Sequence, residues 1–524
     1  MSAPGPRRPR RRAIVAGGVL LLWGAGLGVL AWRERGRGGA DRLAAAASRV
    51  VPGSAYYAVE QGGTQIGFAS STIDTAAGGI RVDDYFIADL PVGGKLRRAS
   101  ATSRVRLSRA LALRDFTVDV ESEAGPIRVS GRADGDSALL FAVSSGDEPA
   151  DTQRVATKGP VLLPTLVPLA VALGATPEVG RRYTVPVFDP TAMRPRDAAL
   201  VVRAESLFTL ADSAAINPAT RRWRAAHRDT VRAWQLAPDS GASGFTGWVD
   251  AEGRVVELAQ PGGFVLRRTA YELAHENWRA EARARGLAVR ADEDIMESTA
   301  IAASAPLGEK AAERLRVTLG GVDLVGFDLA GDRQTLAGDT LTVVRERPAQ
   351  LAAAYSLPGD AAFRARFAAE LAPEPLLQSA SPPIVALAGR LAAGSRDPRV
   401  VAERINRWLR DSLDKQITVG VPDALQVLAA RRGDCNEHTQ LFLALARAAG
   451  IPARAAAGLA YVDGKFYYHA WPEVFLGRWV AVDPTFGEFP ADAAHLRFVN
   501  GGLSRQAELL RLIGRLRIDV LAER

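Results

Sequence analysis

Three residues in this chain have the types and order that nucleophilic thiol chemistry needs. Cys435 is the only cysteine among 524 residues and stands in Gly433-Asp434-Cys435-Asn436-Glu437-His438-Thr439. His469 lies 34 residues further on, and Asp483 another 14 beyond that. An unpaired cysteine forms no internal disulfide, so its use is either as a small buried hydrophobe or as a reactive group. A thiol reacts as its thiolate, which a nearby imidazole can generate and a carboxylate can keep oriented.

The elements that would position these groups are readable around them. Asp434 suits a helix N-cap, and Glu437 three residues later can reach back to the Asp434 N–H, a capping box with Asp in the Ser/Thr place. Leu441, Phe442 and Leu445 recur on one face, and Gly450-Ile451-Pro452 ends the helix. Cys435 is then the first helical residue, where the dipole and the outward N–H groups are expected to lower a thiol pKa and could hold an oxyanion. A strand over 455–461, a turn at Asp463-Gly464, a strand over 465–475 and a turn at Gly477-Arg478 follow. A tight turn near 476–477 pairs residues whose numbers sum to about 952–954, which sets Asp483 opposite 469–471. Glu437 and His438 adjoin the cysteine but occupy neighbouring helix positions that point in different directions, so no metal site is expected there. Trp471 reads as a wall of the site or as core.

Four stretches together carry a family resemblance. They are Gly433 to Thr439, Leu445-Ala446-Arg447-Ala448-Ala449-Gly450-Ile451-Pro452-Ala453-Arg454, Tyr468-His469-Ala470-Trp471-Pro472-Glu473-Val474 and Trp479-Val480-Ala481-Val482-Asp483-Pro484-Thr485. The segment from Ser379 to Asn500, about a quarter of the chain, resembles the transglutaminase-like superfamily. The resemblance implies a papain-like core, a nucleophile-bearing helix packed on an antiparallel sheet. It also implies Cys435 as nucleophile, His469 as general base and Asp483 as its partner. No cofactor and no metal are expected.

Around this core the sequence predicts an α+β protein. Short strand-like runs separated by Gly, Asp and Ser clusters fill 50–285, broken by the apolar stretch 159–173, which is expected to cover a sheet face or form a short helix. A helix is expected over 270–285. A second β-rich region, 286–375, includes strand-like text at 323–327 and 340–344, and the transglutaminase-like domain is expected over 376–524.

The net charge of +8 does not signal nucleic-acid binding, because residues 1–37 hold eight arginines against one glutamate and leave +1 for the rest. Those arginines flank Ala13–Trp32, twenty uncharged residues. That is enough helix to cross a hydrocarbon core of ~30 Å. The 1–49 segment therefore reads as a basic tail, a single-pass anchor and a linker, with the body expected outside the cytoplasm. The expected function is a membrane-anchored cysteine enzyme acting on a peptide or protein amide through a Cys435 thioester, with hydrolysis ranked above transamidation. The alternative is a non-catalytic peptide- or glycan-binding scaffold of the envelope. Oligomeric state is not legible.

Overall fold

A computed structural model describes residues 50–523 except 77–78, 110, 146–150, 175, 190–192, 240–245, 261–262, 285–293, 309–310, 348–350, 352 and 354. The anchor expected at Ala13–Trp32 lies outside the described residues. Among those described, no helix is long and apolar enough to cross a membrane.

The first part of the chain is strand almost throughout: β1 (Gly53–Gln61), β2 (Thr64–Ala76), β3 (Gly79–Val92), β4 (Lys95–Leu107), β5 (Leu113–Glu121), β6 (Ile127–Ala133), β7 (Ala138–Ser145), β8 (Asp151–Ala156), β9 (Arg182–Asp189), β10 (Arg194–Ile216), β11 (Trp223–Pro238), β12 (Thr246–Asp250), β13 (Val255–Ala259) and β14 (Phe264–Thr269). They form one fourteen-stranded sheet in the order β8-β7-β6-β5-β4-β3-β2-β1-β14-β13-β12-β11-β10-β9. The pairings are antiparallel between chain neighbours, and β1 joins the two halves through β14.

The sheet curls on itself. Phe188 of β9 meets Phe141 of β7 and Phe116 of β5, with ring centroids 5.2 and 6.0 Å apart. The linker between the sheet's two ends carries the helix α1 (Val167–Gly174). This is the apolar stretch flagged in the sequence. Its Leu169 and Leu173 pack with Val105, Phe116 and Phe141, while Val167 and Val171 pack with Val202, Trp234 and Leu236. A helix apolar all round has to be buried all round, and the curled sheet supplies both walls.

Two segments differ from expectation. Residues 323–327 form a turn rather than a strand, because the Asp323 side chain accepts the Val325 N–H, the Phe327 N–H bonds the Leu324 carbonyl and Gly326 takes φ +91°. The helix expected over 270–285 opens as a π-helical turn at Glu272–Glu276 and becomes α2 (Asn277–Ala284) only afterwards.

The remainder builds the scaffold of the candidate site residues. β15 (Ile301–Ala302), β21 (Ala453–Val462), β22 (Lys465–Phe475) and β24 (His495–Asn500) form a sheet in the order β15-β22-β21-β24, with β23 (Trp479–Ala481) paired to β22. The helices α3 (Pro382–Ala392), α4 (Pro398–Ser412), α5 (Ala424–Ala430) and α6 (Cys435–Ala448) share one core with Ala453, Ala455, Val474 and Val480 of that sheet and with Val482 just past β23. Val401, Ile405 and Leu409 form the buried stripe of α4, at the spacing a helix presents to a core. β16 (Arg314–Gly320), β17 (Gln334–Ala337) and β18 (Thr340–Val344) pair with one another, and β25 (Arg517–Glu523) completes their sheet against β16. They share a second core with Leu459, Phe466, Leu496 and Phe498. The short strands β19 (Asp414–Lys415) and β20 (Arg432–Gly433) pair in parallel just before α6.

The curled sheet touches the segment leading into α6. The Gln426 side-chain amide donates to the Pro126 carbonyl at 2.9 Å. Gly93 has φ +61°, a left-handed backbone that favours glycine, and a Cβ there would lie 2.4 Å from the outer end of Ile417.

Candidate active site

Cys435 is the first residue of α6, as its cap dictates. Asp434 accepts the Asn436 N–H at 2.8 Å, and Glu437 accepts the Asp434 N–H at 2.9 Å, closing the capping box. From Glu437 to Arg447 the helix is buried on nearly every side rather than along one stripe, since the sheet and helices α3 to α5 enclose it. One turn beyond the cysteine, Thr439 Oγ1 donates to the Ala470 carbonyl at 3.1 Å. That bond fixes the start of α6 against β22 beside His469.

The second and third residues meet through β23. Its register pairs Glu473 with Ala481 and Phe475 with Trp479, numbers that sum to 954. Continued past Ala481, that register sets Asp483 level with Trp471, and the Val482 N–H still bonds the Pro472 carbonyl at 3.0 Å. Asp483 Oδ2 lies 2.6 Å from His469 Nε2. The other carboxylate oxygen accepts the Thr485 N–H at 2.6 Å and the Phe486 N–H at 3.0 Å. With Nε2 facing a carboxylate, the tautomer is Nε2–H and Nδ1 is the ring nitrogen that keeps its lone pair.

Aromatic rings enclose the imidazole. Phe486 stacks on His469 with centroids 4.8 Å apart and planes 5° from parallel, and Trp471 stacks at 6.0 Å. Trp471 is buried whereas Phe486 is 41% exposed, so Phe486 is the face that meets solvent. Trp471 is thus both wall and core.

The electrostatics correct one expectation. Cys435 is half-buried, and its thiol is pushed well above the ordinary range rather than lowered. Burial is the main cause and the Asp434 carboxylate the next, with Asp483 and Glu437 adding to it; the Ala470 N–H works in the opposite direction. The helix end is there, but burial first and the neighbouring carboxylates second set the direction. Burial and the neighbouring Asp434 likewise push Glu437 up to about 8. Burial would raise Asp483 too, yet the charge and hydrogen bond of His469 and the bonds from His495 overcome it and hold that carboxyl far below the usual range.

His495 was not flagged in the sequence, and it completes the surroundings of Asp483. Its Nε2 is 3.0 Å from Asp483 Oδ2, and its Nδ1 is 2.9 Å from Asp492 Oδ1. The signal available was the short Asp492-Ala-Ala-His495 spacing, but nothing local places it beside Asp483.

His469, Asp483 and His495 offer three potential ligand atoms within 4.8 Å of one another. They do not fit a metal. Both ring nitrogens of His495 face carboxylate oxygens, which only accept, so both carry protons and neither has a lone pair to give.

A thiol at a helix end and a strand-borne imidazole oriented by a buried carboxylate are the groups that nucleophilic thiol chemistry needs. Residues 385–484 match the family described as the Transglutaminase-like superfamily, and this part of the chain is a transglutaminase-like domain. The uncharacterised protein ML0607 of Mycobacterium leprae (strain TN) is 33% identical over 113 residues, 19% of this chain and 40% of that protein. The chain therefore spans well under half the length of that curated relative. Solved structures with similarity include the periplasmic domain of TgpA from Pseudomonas aeruginosa bound to ethylmercury (20% identity, TM-score 0.23, 34% of this chain and 75% of that one). Another is a β-barrel-like protein of domain family DUF1849 from Brucella abortus (14% identity, TM-score 0.28, 42% of this chain and 95% of that one).

Proposed function

We propose that this protein is a cysteine enzyme that cleaves a peptide or protein amide through a thioester on Cys435. The observation that carries the reading is the 2.6 Å contact of His469 Nε2 with the buried Asp483, on the strand against which the Cys435 helix end is fixed. His469 Nδ1 takes the thiol proton as Sγ attacks the amide carbon. The Cys435 N–H, the donor at the helix end nearest the sulfur, supports the developing oxyanion. The same proton passes to the departing amine as the C–N bond breaks and the thioester remains. Water then gives a proton to His469 and its oxygen to the acyl carbon, releasing a carboxylic acid and restoring the thiol. An amine in place of water would give transamidation, and hydrolysis is ranked above it.

We further propose that Ala13–Trp32 anchors the chain in a membrane, with the body outside the cytoplasm. The uncharged length of that segment and its arginine flanks support this reading.

The test is labelling of the full-length protein with an electrophilic amide-mimic probe. Cys435→Ala should abolish labelling, and His469→Ala should reduce it at least ~100-fold. Because Cys435 is the sole cysteine, undiminished labelling of Cys435→Ala would remove the nucleophile from the mechanism.

A further inference from the structure

His495 sits where the loop from Asp483 returns to the sheet, and the loop closes a circuit of hydrogen bonds. Asp483 and Glu488 exchange backbone bonds of 2.9 and 2.8 Å. Glu488 Oε2 accepts the Asp492 N–H at 2.7 Å, and Asp492 Oδ1 accepts the Ala494 N–H and His495 Nδ1, both at 2.9 Å. His495 Nε2 then returns to Asp483 Oδ2, the oxygen that His469 also uses. The ring is 2% exposed and lies edge-on to Trp471 at 5.2 Å and to Phe486 at 5.9 Å. No step proposed above uses it.

We propose that His495 is a positioning residue of this site: an imidazolium clamped between Asp483 and Asp492, it keeps Asp483 ionised and turned toward His469 and sets the charge against which the thiol–imidazole pair titrates. This rests on reading Cys435, His469 and Asp483 as the reacting set. The geometry alone requires two N–H groups on His495, since each nitrogen faces an anionic oxygen. Burial would lower its pKa, but the bonds to Asp483 and Asp492 and the charges of Asp483 and Glu488 outweigh burial and push it up to about 10. The other charged groups facing this cluster are Glu488, 4.0 Å from Nδ1, the His469 ring at 5.7 Å and Arg333, whose guanidinium donates to the Ala491 and Asp492 carbonyls.

The positive ring lies 5.7 Å from that of His469, close enough for its charge to act on the reacting pair, whose thiol rests neutral. Burial and Asp434 hold that thiol protonated. The clamp also explains why one carboxylate needs four donors. Asp483 is locked at one oxygen by two backbone N–H groups and at the other by two imidazoles.

Two readouts on the full-length protein need no substrate. In ¹⁵N-histidine spectra, His495 should hold protons on both ring nitrogens up to at least pH 8; titration below pH 7 would overturn the proposal. In the pH profile of Cys435 alkylation by iodoacetamide, His495→Gln removes a positive charge, so both inflections of the thiol–imidazole pair should move up. The Coulomb interaction across the gap between the rings sets that movement at about half a unit to two units. Asp492→Asn removes a negative charge and should move both inflections down, which also serves if His495→Gln does not fold. Loss of packing alone gives no such opposite pair, and unmoved inflections in both variants would refute the idea. If Cys435→Ala keeps its probe label, the nucleophile reading fails while the His495 protonation state remains readable on its own.

Discussion

At the scale of single residues, the site has to reconcile a helix end that favours thiolate with carboxylates that oppose it. Asp434 does two things at once. Its side chain caps α6 through the Asn436 N–H, and its charge is the largest cause after burial of the raised Cys435 thiol. Asparagine caps a helix about as well as aspartate, so Asp434→Asn separates the two roles. The variant should keep its thermal midpoint within a degree or two, since the cap changes by only about a few tenths of a kcal/mol. Its alkylation inflection should fall by about half a unit to one unit as the opposing charge is removed. An unchanged inflection would mean that burial alone sets the thiol. The sign matters for mechanism, because a thiol that rests protonated depends on His469 at the moment of attack. His469 should therefore be far costlier to lose than in a site that stores its thiolate.

At the scale of elements, β22 is held from below by charge. Glu473 is buried on β22, where Arg497 Nη1 reaches one of its oxygens at 3.0 Å and Arg454 Nε the other at 2.8 Å. Removing one partner from a buried pair leaves the other charge without compensation, so Glu473→Ala should cost about 3–5 kcal/mol in denaturant unfolding. Asp332, a more open partner of the same arginines, should cost no more than ~1 kcal/mol when changed to alanine. Equal losses would show that the network is not centred on Glu473. The same strand shows what a sequence can and cannot reveal. The capping box before Cys435 and the turn at Gly477 are local, so the helix start and the register of His469 against Asp483 were readable from residue types and counting. His495 was not, because only the loop from β23 to the far strand β24 brings it to Asp483. The turn at Asp323–Phe327 was misread as strand because its apolar residues hid an Asx bond and a left-handed glycine. The hairpin of β10 and β11, 23 and 16 residues long, and the curl of the great sheet around α1 depend on pairings that no short window encodes.

At the scale of the whole molecule, strands far apart in the chain are joined in ways that tie the candidate site to its periphery. β25 pairs antiparallel with β16, from Leu315 opposite Glu523 to Gly320 opposite Arg517. Ile518 of β25 and Leu315, Val317 and Leu319 of β16 lie in one apolar cluster with Leu496 and Phe498 of β24. β24 begins at His495, so a packing defect in β25 is one cluster away from the ring that clamps Asp483. Ile518→Ala removes a buried side chain without touching any polar group of the site. It should lower unfolding free energy by about 2–5 kcal/mol, the range for emptying a filled core position. Deleting residues 517–524 goes further. It removes the strand and leaves β16 with an unpaired edge, which favours association between copies. The deletion variant should lose its cooperative thermal transition or aggregate, and Cys435 labelling should fall with it although no reactive residue has changed. A variant that labels at full strength with an unmoved midpoint would show that the β16–β18 sheet and the Cys435 region are energetically separate. Intermediate behaviour is also informative. If Ile518→Ala folds with a lowered midpoint but its alkylation inflections match those of the parent, the coupling is one of stability alone. If the inflections move upward as the midpoint falls, the defect has reached the His495 clamp.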